Sequence, residues 1–296
     1  MQLTASSVRS YVAPASGSSS GLALEGQRGD LPLGNALRRI KGRQETLRRL
    51  RELDSRKANV LIIHYSCESF YDRPDGSTPR VTSIAVRNLD SGQTESFSIH
   101  KVAELKAIPL AELARHYDTL EKEMLDEFGQ FLQSNLHCTW VHWNMRNINY
   151  GFQAIEHRHK VLGETPPQRL PEERKVDLAR ALTSIYGVGD VGNPRLESIV
   201  KLNKIADQSF LGGKEEAAAF EQAEFVKLHQ STLRKVDILA TRFSRTLDGS
   251  LKTNATWWEA RGIHPQAIAE FLSEHWTWTL LAALGSIASI IALLLR

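Results

Sequence analysis

The stretch that decides the fold runs from Val60 to Phe70 and reads VLIIHYSCESF. Its first four residues are apolar and rich in β-branched side chains, which is typical of a buried strand, and a polar cluster with one carboxylate, Glu68, follows at once. Two more strands are predicted over residues 80–87 and 94–100, because each run is rich in strand-forming residues and follows a turn signal. A fourth strand is predicted over residues 138–143.

Apolar residues at helical spacing follow the first three strands. Leu120, Met124 and Phe128 recur four residues apart, so an amphipathic helix is predicted over residues 118–136. Beyond the fourth strand the pattern predicts helices over residues 148–162, 176–186, 195–206 and 215–247. Three strands, a helix, a strand and further helices predict an α/β fold with one mixed sheet and flanking helices.

Composition and charge divide the chain into segments. A content of 42% hydrophobic and 24% charged residues excludes wholesale disorder. Residues 1–34, rich in Ser, Gly and Ala, are predicted to be a disordered N-terminus, and residues 35–57 a basic helix. The span 36–57 holds nine Lys and Arg against three Asp and Glu, a local charge of +6 (9 − 3) in a chain of net charge +3. A folded domain is predicted over 58–247 and a juxtamembrane connector over 248–275.

The C-terminal segment is the longest uncharged run of the chain. Residues 276–295 carry no charge, and as a helix they would rise about 30 Å, the thickness of a bilayer hydrocarbon core. With Trp276 at one end, Arg296 at the other and no apolar signal peptide in residues 1–30, the sequence predicts a single-pass C-terminal transmembrane helix. The expected protein contacts the lipid bilayer through 276–295, keeps its N-terminal domain cytoplasmic, and has small tail residues that would allow a homo-oligomer.

Three motifs follow one another in the order found in a known family. The first strand ends in SCE at 66–68, the fourth in HWN at 142–144 before NYGF at 149–152, and His229 precedes Arg234 by five positions. Over about 190 residues the chain thereby resembles the DnaQ-like (DEDDh) 3′–5′ exonucleases of the ribonuclease H-like superfamily. The resemblance implies a ribonuclease H-like mixed sheet with flanking helices, in which the first and fourth strands are neighbours.

The resemblance also implies a metal centre. In that family four carboxylates hold two ions, Mg²⁺ or Mn²⁺, that activate water. The corresponding positions here hold Ser66, Glu68, Asn149 and Arg234, so only one of the four is anionic. The candidate metal ligands are therefore Glu68 and the neutral oxygens of Ser66 and Asn149, and two-metal hydrolysis is expected to be compromised.

The candidate catalytic residues are an acid, a base and a replacement acid. Glu68 is the retained carboxylate, and His229 corresponds to the general base of the family. Asp237, further along the same helix, is the first candidate to replace a missing acid. Asp72 and Asp75, in the loop after the first strand, are the other candidates.

Two other chemistries stay open. His64, His142 and Glu68, with His100 as a further neighbour, would suit Zn²⁺ or Fe²⁺ if the strand ends bring them together. Cys67 would be a nucleophile if His142 lay beside it and its pKa were lowered. Cys67 and Cys138 match neither a metal-binding spacing nor a disulfide framework.

Aromatic and basic residues near the motifs predict a partner. Single-stranded nucleic acid is bound by rings on which bases stack and by cations that follow the backbone, and a nucleotide uses the same groups. The basic helix adds an electrostatic footprint. The candidate nucleic-acid-binding residues are Trp143, Asn144, Arg146, Tyr150, Arg38, Arg39, Arg48 and Arg49.

Three functions remain open at this point. The first is binding of nucleic acid or nucleotide through a degenerate exonuclease-like site, without hydrolysis. The second is an active metal-dependent 3′–5′ exonuclease that uses Glu68, His229 and a relocated acid such as Asp237. The third is a membrane-tethered scaffold or effector that binds a protein partner.

Overall fold

The computed structural model describes residues 34–68, 79–146, 149–163, 165–187, 189, 191–255 and 276–294. The predicted disordered N-terminus therefore lies, except for Gly34, outside the described residues. The same holds for most of the predicted connector, residues 256–275, and for the candidate acids Asp72 and Asp75.

Five strands form one mixed sheet in the order β3-β2-β1-β4-β5. β2 runs antiparallel to both of its neighbours, β1 and β3, whereas β4 runs parallel to β1 and to β5. The predicted α/β class with a mixed sheet is confirmed, and the first and fourth strands are neighbours as expected. The strands are β1 (Val60–Cys67), β2 (Val81–Asn88), β3 (Thr94–Ser98), β4 (Thr139–His142) and β5 (Lys175–Asp177).

Helices cover both faces of this sheet. Short 3₁₀ turns lie at Lys57–Asn59, Leu110–Arg115 and Glu172–Arg174. The α-helices are α1 (Gly34–Ser55), α2 (Ile99–Leu105), α3 (Tyr117–Ser134), α4 (Phe152–Val161), α5 (Leu178–Tyr186), α6 (Arg195–Leu202), α7 (Gly213–Glu221), α8 (Phe225–Leu247) and α9 (Trp276–Leu294).

The alternation of side chains along β1 builds two cores. All eight residues of β1 are buried, and successive side chains point to opposite faces of the sheet. Leu61 and Ile63 pack with apolar residues of α3 and α4, whereas Val60 and Ile62 pack with those of α1, α5 and α8. β1 decides the fold because helices pack against both of its faces.

Two predicted boundaries were wrong near the ends of strands. The predicted helix over 176–186 starts instead at Leu178, because Val176 pairs with Val141 of β4 and extends the sheet by a short strand. The carboxylate of Asp177 then accepts the backbone N–H of Ala179 at 2.9 Å and caps α5. The predicted third strand ends at Ser98, and α2 begins at Ile99.

The predicted transmembrane helix is wrong. Among the described residues, no helix has both the length and the apolar character that crossing a bilayer requires. This finding overturns the predicted single-pass tail and the membrane localisation that depended on it.

Candidate functional site

A cavity of about 370 Å³ lies where the chain leaves β4, beside β1. In open α/β sheets, ligands bind outside the carboxyl ends of parallel strands, and this volume falls within the range of small-molecule sites. Residues from β1, the segment after β4, the loop before α4, the start of α6, α7 and α8 contribute to the wall. The lining includes His64, Trp143, Asn144, Tyr150, Arg195, Glu197, Phe210, Glu216 and Lys235.

A buried ion pair forms part of this wall. The Nζ of Lys235 lies 2.6 Å from Oε2 of Glu216, and the two side chains are only 5% and 1% exposed. The hydroxyl of Ser66 donates to Oε1 of Glu216 at 2.8 Å and lies 2.7 Å from Oγ1 of Thr232. Thr232 in turn lies 2.7 Å from Oγ of Ser83 on β2. Ser66, a predicted metal ligand, is thus engaged by a carboxylate and a hydroxyl of the protein.

Glu216 and Lys235 were not predicted from the sequence. A usable signal was present in α8, where Lys235 falls on the same helical stripe as the buried Leu228, Val236 and Leu239. Charged residues are almost never buried unless they are paired, so a lysine on an apolar stripe indicates a hidden partner. The identity of that partner, on another helix, was not readable from spacing.

Glu68 is held by an arginine. Its Oε1 lies 3.0 Å from Nη2 of Arg80 and its Oε2 lies 3.2 Å from Nε, so the carboxylate meets the guanidinium at two points. The hydrogen bond to Glu68 raises the pKa of Arg80, and the guanidinium lies over the rings of Tyr117 and Phe220 at 4.7 and 5.1 Å. The one acid retained at the expected positions therefore faces a fixed cation.

Of the other positions of the implied metal centre, Asn149 is exposed, whereas Arg234 contacts groups of the protein. The guanidinium of Arg234 donates to the carbonyl oxygen of Ala206 and lies 3.8 Å from the carboxylate of Asp237. Asp237, the candidate replacement acid, also lies 3.0 Å from the guanidinium of Arg87 on β2.

These residues do not fit a two-metal centre. Two hard cations need several anionic oxygens, whereas Glu68 is paired with Arg80 and Ser66 belongs to a network that already contains the ammonium of Lys235. Within the described ranges, no three His, Cys, Asp or Glu side chains form a group able to hold a metal ion. Neither the two-metal set nor the set of His64, His142, His100 and Glu68 is brought together there.

His229, the predicted general base, lies beside a second histidine. Its ring centre is 4.9 Å from that of His100 at the start of α2. Burial, followed by the proximity of His100, lowers the pKa of His229 to about 4. The imidazole is therefore neutral at pH 7, and its neighbour is a histidine rather than Glu68 or Ser66.

His64 presents a hydrogen-bond acceptor beside the cavity. The hydroxyl of Tyr150 lies 3.2 Å from the carbonyl oxygen of Tyr65 and 3.3 Å from Nδ1 of His64. A carbonyl oxygen only accepts, so we assign the hydroxyl proton of Tyr150 to the hydrogen bond with Tyr65 and the ring proton of His64 to Nδ1. Burial, and then the charge of Lys235, lower the pKa of His64 well below its ordinary value. Its Nε2 keeps a lone pair, is buried, and has no hydrogen-bond partner in the described part of the chain.

The structure brings together three of the predicted nucleic-acid-binding residues. Trp143, Asn144 and Tyr150 all line the cavity, although Trp143 is only 6% exposed and the guanidinium of Arg242 covers its ring at 4.9 Å. The ring of Tyr150 stacks on that of Tyr65 with 4.5 Å between centres. One face of each predicted stacking ring is therefore already covered by the protein.

The predicted basic residues lie outside this cavity. Arg146 donates to Oδ1 of Asn144 at 2.9 Å and pairs with Asp177 at 2.8 Å. Arg146 and Arg49 line a separate groove of about 600 Å³ between α1 and α5. The remaining candidates are exposed on α1, which packs on the sheet through Leu50 and Leu53, and they are Arg38, Arg39 and Arg48.

Comparison with protein-family models, curated proteins and solved structures finds no match for this chain. The exonuclease resemblance therefore stays a prediction from motif order. Any functional conclusion depends on the geometry of the cavity and on the partners of the residues that line it.

His142 is expected to make the fold sensitive to acid. Burial lowers its pKa to about 4 against the opposing effect of Asp177. The unfolded chain, in which a histidine has a pKa of about 6.5, takes up the proton first, so stability is lost as pH falls from about 6.5 toward 4. Asparagine at this position keeps an acceptor for the N–H of Met145, which lies 3.2 Å from Nδ1. We expect His142→Asn to lose roughly 2–3 kcal/mol less than the wild type between pH 7 and pH 4.

Urea unfolding at several pH values measures this difference. The matched control is His157→Asn, because His157 is exposed on α4 and its replacement changes no buried group. A decline with acid as steep in His142→Asn as in the wild type would contradict the assignment.

Proposed function

We propose that this chain is an exonuclease-like binding protein that holds a nucleotide, free or within single-stranded nucleic acid, without hydrolysing it. The observation that carries the proposal is the ion pair of Glu216 and Lys235, bonded to Ser66 at the end of β1. By the exonuclease resemblance, this strand end is where the metal ligands should begin. A fixed ammonium and its carboxylate are found there instead.

The residues that line the cavity are suited to binding a nucleobase. The rings of Trp143, Tyr150 and Phe210 line it, and every base has a face that stacks on such rings. Asn144 and His64 add polar atoms that orient a ligand by hydrogen bonds. The pairing of β1 with β4, which the resemblance required, lets residues of both strand ends share one cavity.

The state of the acids supports binding without hydrolysis. Glu68 is engaged by Arg80 and Asp237 by Arg87, so neither carboxylate is presented to a metal-bound water. His229, the residue implied as general base, lies against His100. The proposal therefore uses no metal ion and assigns no catalytic step.

The proposal is tested by binding and shortening assays on the full chain. Fluorescent single-stranded RNA and DNA and mononucleotides are titrated with protein, and 3′-shortening is followed with Mg²⁺ and Mn²⁺. We expect binding without shortening. Tyr150→Leu should weaken binding roughly 5- to 150-fold, because stacking on one ring contributes about 1–3 kcal/mol per base.

Tyr186→Leu is the matched control, since Tyr186 is also half-buried but belongs to α5 and does not line the cavity. Equal effects of the two substitutions would contradict the assignment of the cavity. Metal-dependent shortening that is abolished by Glu68→Ala would show instead that the chain is an active exonuclease.

A further inference from the structure

The charged groups that line the cavity cancel one another. Lys235 and Arg195 contribute two formal positive charges, and Glu197 and Glu216 contribute two negative charges. Lys235 is matched directly, because its Nζ lies 2.6 Å from Glu216. His64 adds no charge, since burial and Lys235 keep its pKa well below the ordinary value.

A cavity of this kind is poorly suited to phosphate. A phosphate monoester carries about −1.5 to −2 charges at pH 7. Entering the cavity would bring that charge close to Glu216 and Glu197, while the ammonium of Lys235 is already occupied by a carboxylate. A buried charge is stabilised only when it gains an opposite partner, and Lys235, the buried cation of the described lining, is already paired with Glu216.

An uncharged aromatic ligand is better suited to this cavity than a phosphate. Tyr150 and Phe210 provide ring surface, and stacking needs no change in the charges of the wall. The lone pair on Nε2 of His64 is an acceptor that lacks a partner among the described side chains. A ligand that brings an N–H or O–H donor would satisfy this buried atom, which otherwise destabilises the folded state.

We infer that the cavity takes the uncharged base or nucleoside part of its ligand, and that a phosphate on the ligand adds no affinity. The inference rests on the proposed function and makes it more specific. It assigns base recognition to the cavity and leaves the phosphates of a nucleotide or strand outside it. The donor that meets His64 is an amino or hydroxyl group of the nucleoside.

The test compares each nucleoside with its 5′-monophosphate and 5′-triphosphate by calorimetry on the full chain. We expect the three dissociation constants of one base to agree within about threefold and to change little between 50 and 200 mM salt, because no phosphate contact is made. Monophosphate binding tenfold tighter than nucleoside binding, or falling steeply with salt, would overturn the inference. Absence of binding by all three forms and by single-stranded RNA and DNA would instead contradict the proposed function itself.

Two sets of variants sharpen the result. In Glu216→Met/Lys235→Met, we expect the ratio of nucleoside to monophosphate dissociation constants to stay at the wild-type value, whatever happens to each constant. If Lys235 does bind phosphate, the monophosphate alone loses affinity and the inference fails. Lys227→Met, on the same helix but exposed and paired with Glu224, controls for loss of a lysine.

The second set tests Nε2 of His64 as a hydrogen-bond acceptor for the ligand. His64→Phe keeps a buried ring but removes Nε2, so it should weaken the nucleoside and its phosphates by the same factor. A nucleoside whose amino group is dimethylated has no N–H donor there, so its dissociation constant shows whether the amino group is the donor to His64. Wild-type affinity in His64→Phe for every ligand would overturn the role of His64, and a circular dichroism spectrum of each variant confirms that it is folded.

Discussion

Replacing Lys235 with methionine is expected to lower the free energy of unfolding by about 3–5 kcal/mol, because it leaves a carboxylate buried without its partner. Glu216 is 1% exposed, and its second oxygen already accepts from Ser66 at 2.8 Å. Methionine fills a similar volume to lysine but offers no charge and no donor. The loss should therefore come from the isolated charge rather than from a cavity.

A double-mutant cycle with Glu216→Met separates these causes. Urea unfolding at pH 7 of both single variants and the double variant measures the coupling. The double variant should be clearly more stable than Lys235→Met, since exchange of a buried pair for apolar residues of similar size is often neutral. Lys227→Met, whose partner Glu224 is at the surface, should cost less than about 1 kcal/mol. Losses of equal size at Lys227 and Lys235 would contradict the buried ion pair.

Replacing Arg158 with methionine is the second substitution with a large expected effect, again about 3–5 kcal/mol. Arg158 on α4 meets Glu121 on α3 at two points, Nε to Oε1 at 2.8 Å and Nη2 to Oε2 at 2.7 Å. Glu121 is fully buried and also accepts the backbone N–H of Val81 at 2.7 Å. The pair therefore joins two helices to the first residue of β2, so its loss disturbs the sheet as well as the charge balance.

The pH dependence of this loss tests its cause. Burial raises the pKa of Glu121, and Arg158 opposes that rise. Without Arg158 the pKa of Glu121 rises further. An acid whose pKa is raised in the folded state contributes stability that is present at low pH and lost as pH increases. Arg158→Met should therefore be less damaging at pH 5 than at pH 8. Arg169→Met is the control, because Arg169 pairs with Glu156 at the surface. A loss that is equal at both pH values would point to packing instead of charge.

Much of the fold followed from local patterns. The apolar run at 60–63, the helical spacing from Leu120 to Phe128 and the order of strands and helices predicted an α/β fold with a mixed sheet, and the structure has one. These patterns suffice because burial of one face imposes a period of two on strands and of 3.6 on helices. The short strand β5 was not predicted, because Lys175–Asp177 is too short to show a period of two.

The C-terminal prediction failed for a physical reason. It counted residues without charge, and Trp and Thr at 276–279 carry no charge although they add little apolar character. Among the described residues, α9 does not combine the length and the apolar character that crossing a bilayer requires. Length of apolar surface, rather than absence of charge, is the relevant quantity.

The amino-acid sequence by itself determined the class of fold and the scarcity of acids where the resemblance expects metal ligands, and the resemblance implied that β1 and β4 are neighbours. Only the tertiary structure decided which charges meet. Ser66 and Glu216 are 150 positions apart, and Glu121 and Arg158 are 37 apart, so neither contact leaves a local pattern. Ion pairs form between side chains that folding brings within a few ångströms. Hydrophobic periodicity, in contrast, is a local pattern within each segment of the sequence. For this reason the paired, net-neutral cavity became visible only once α7 and α8 were packed on the sheet.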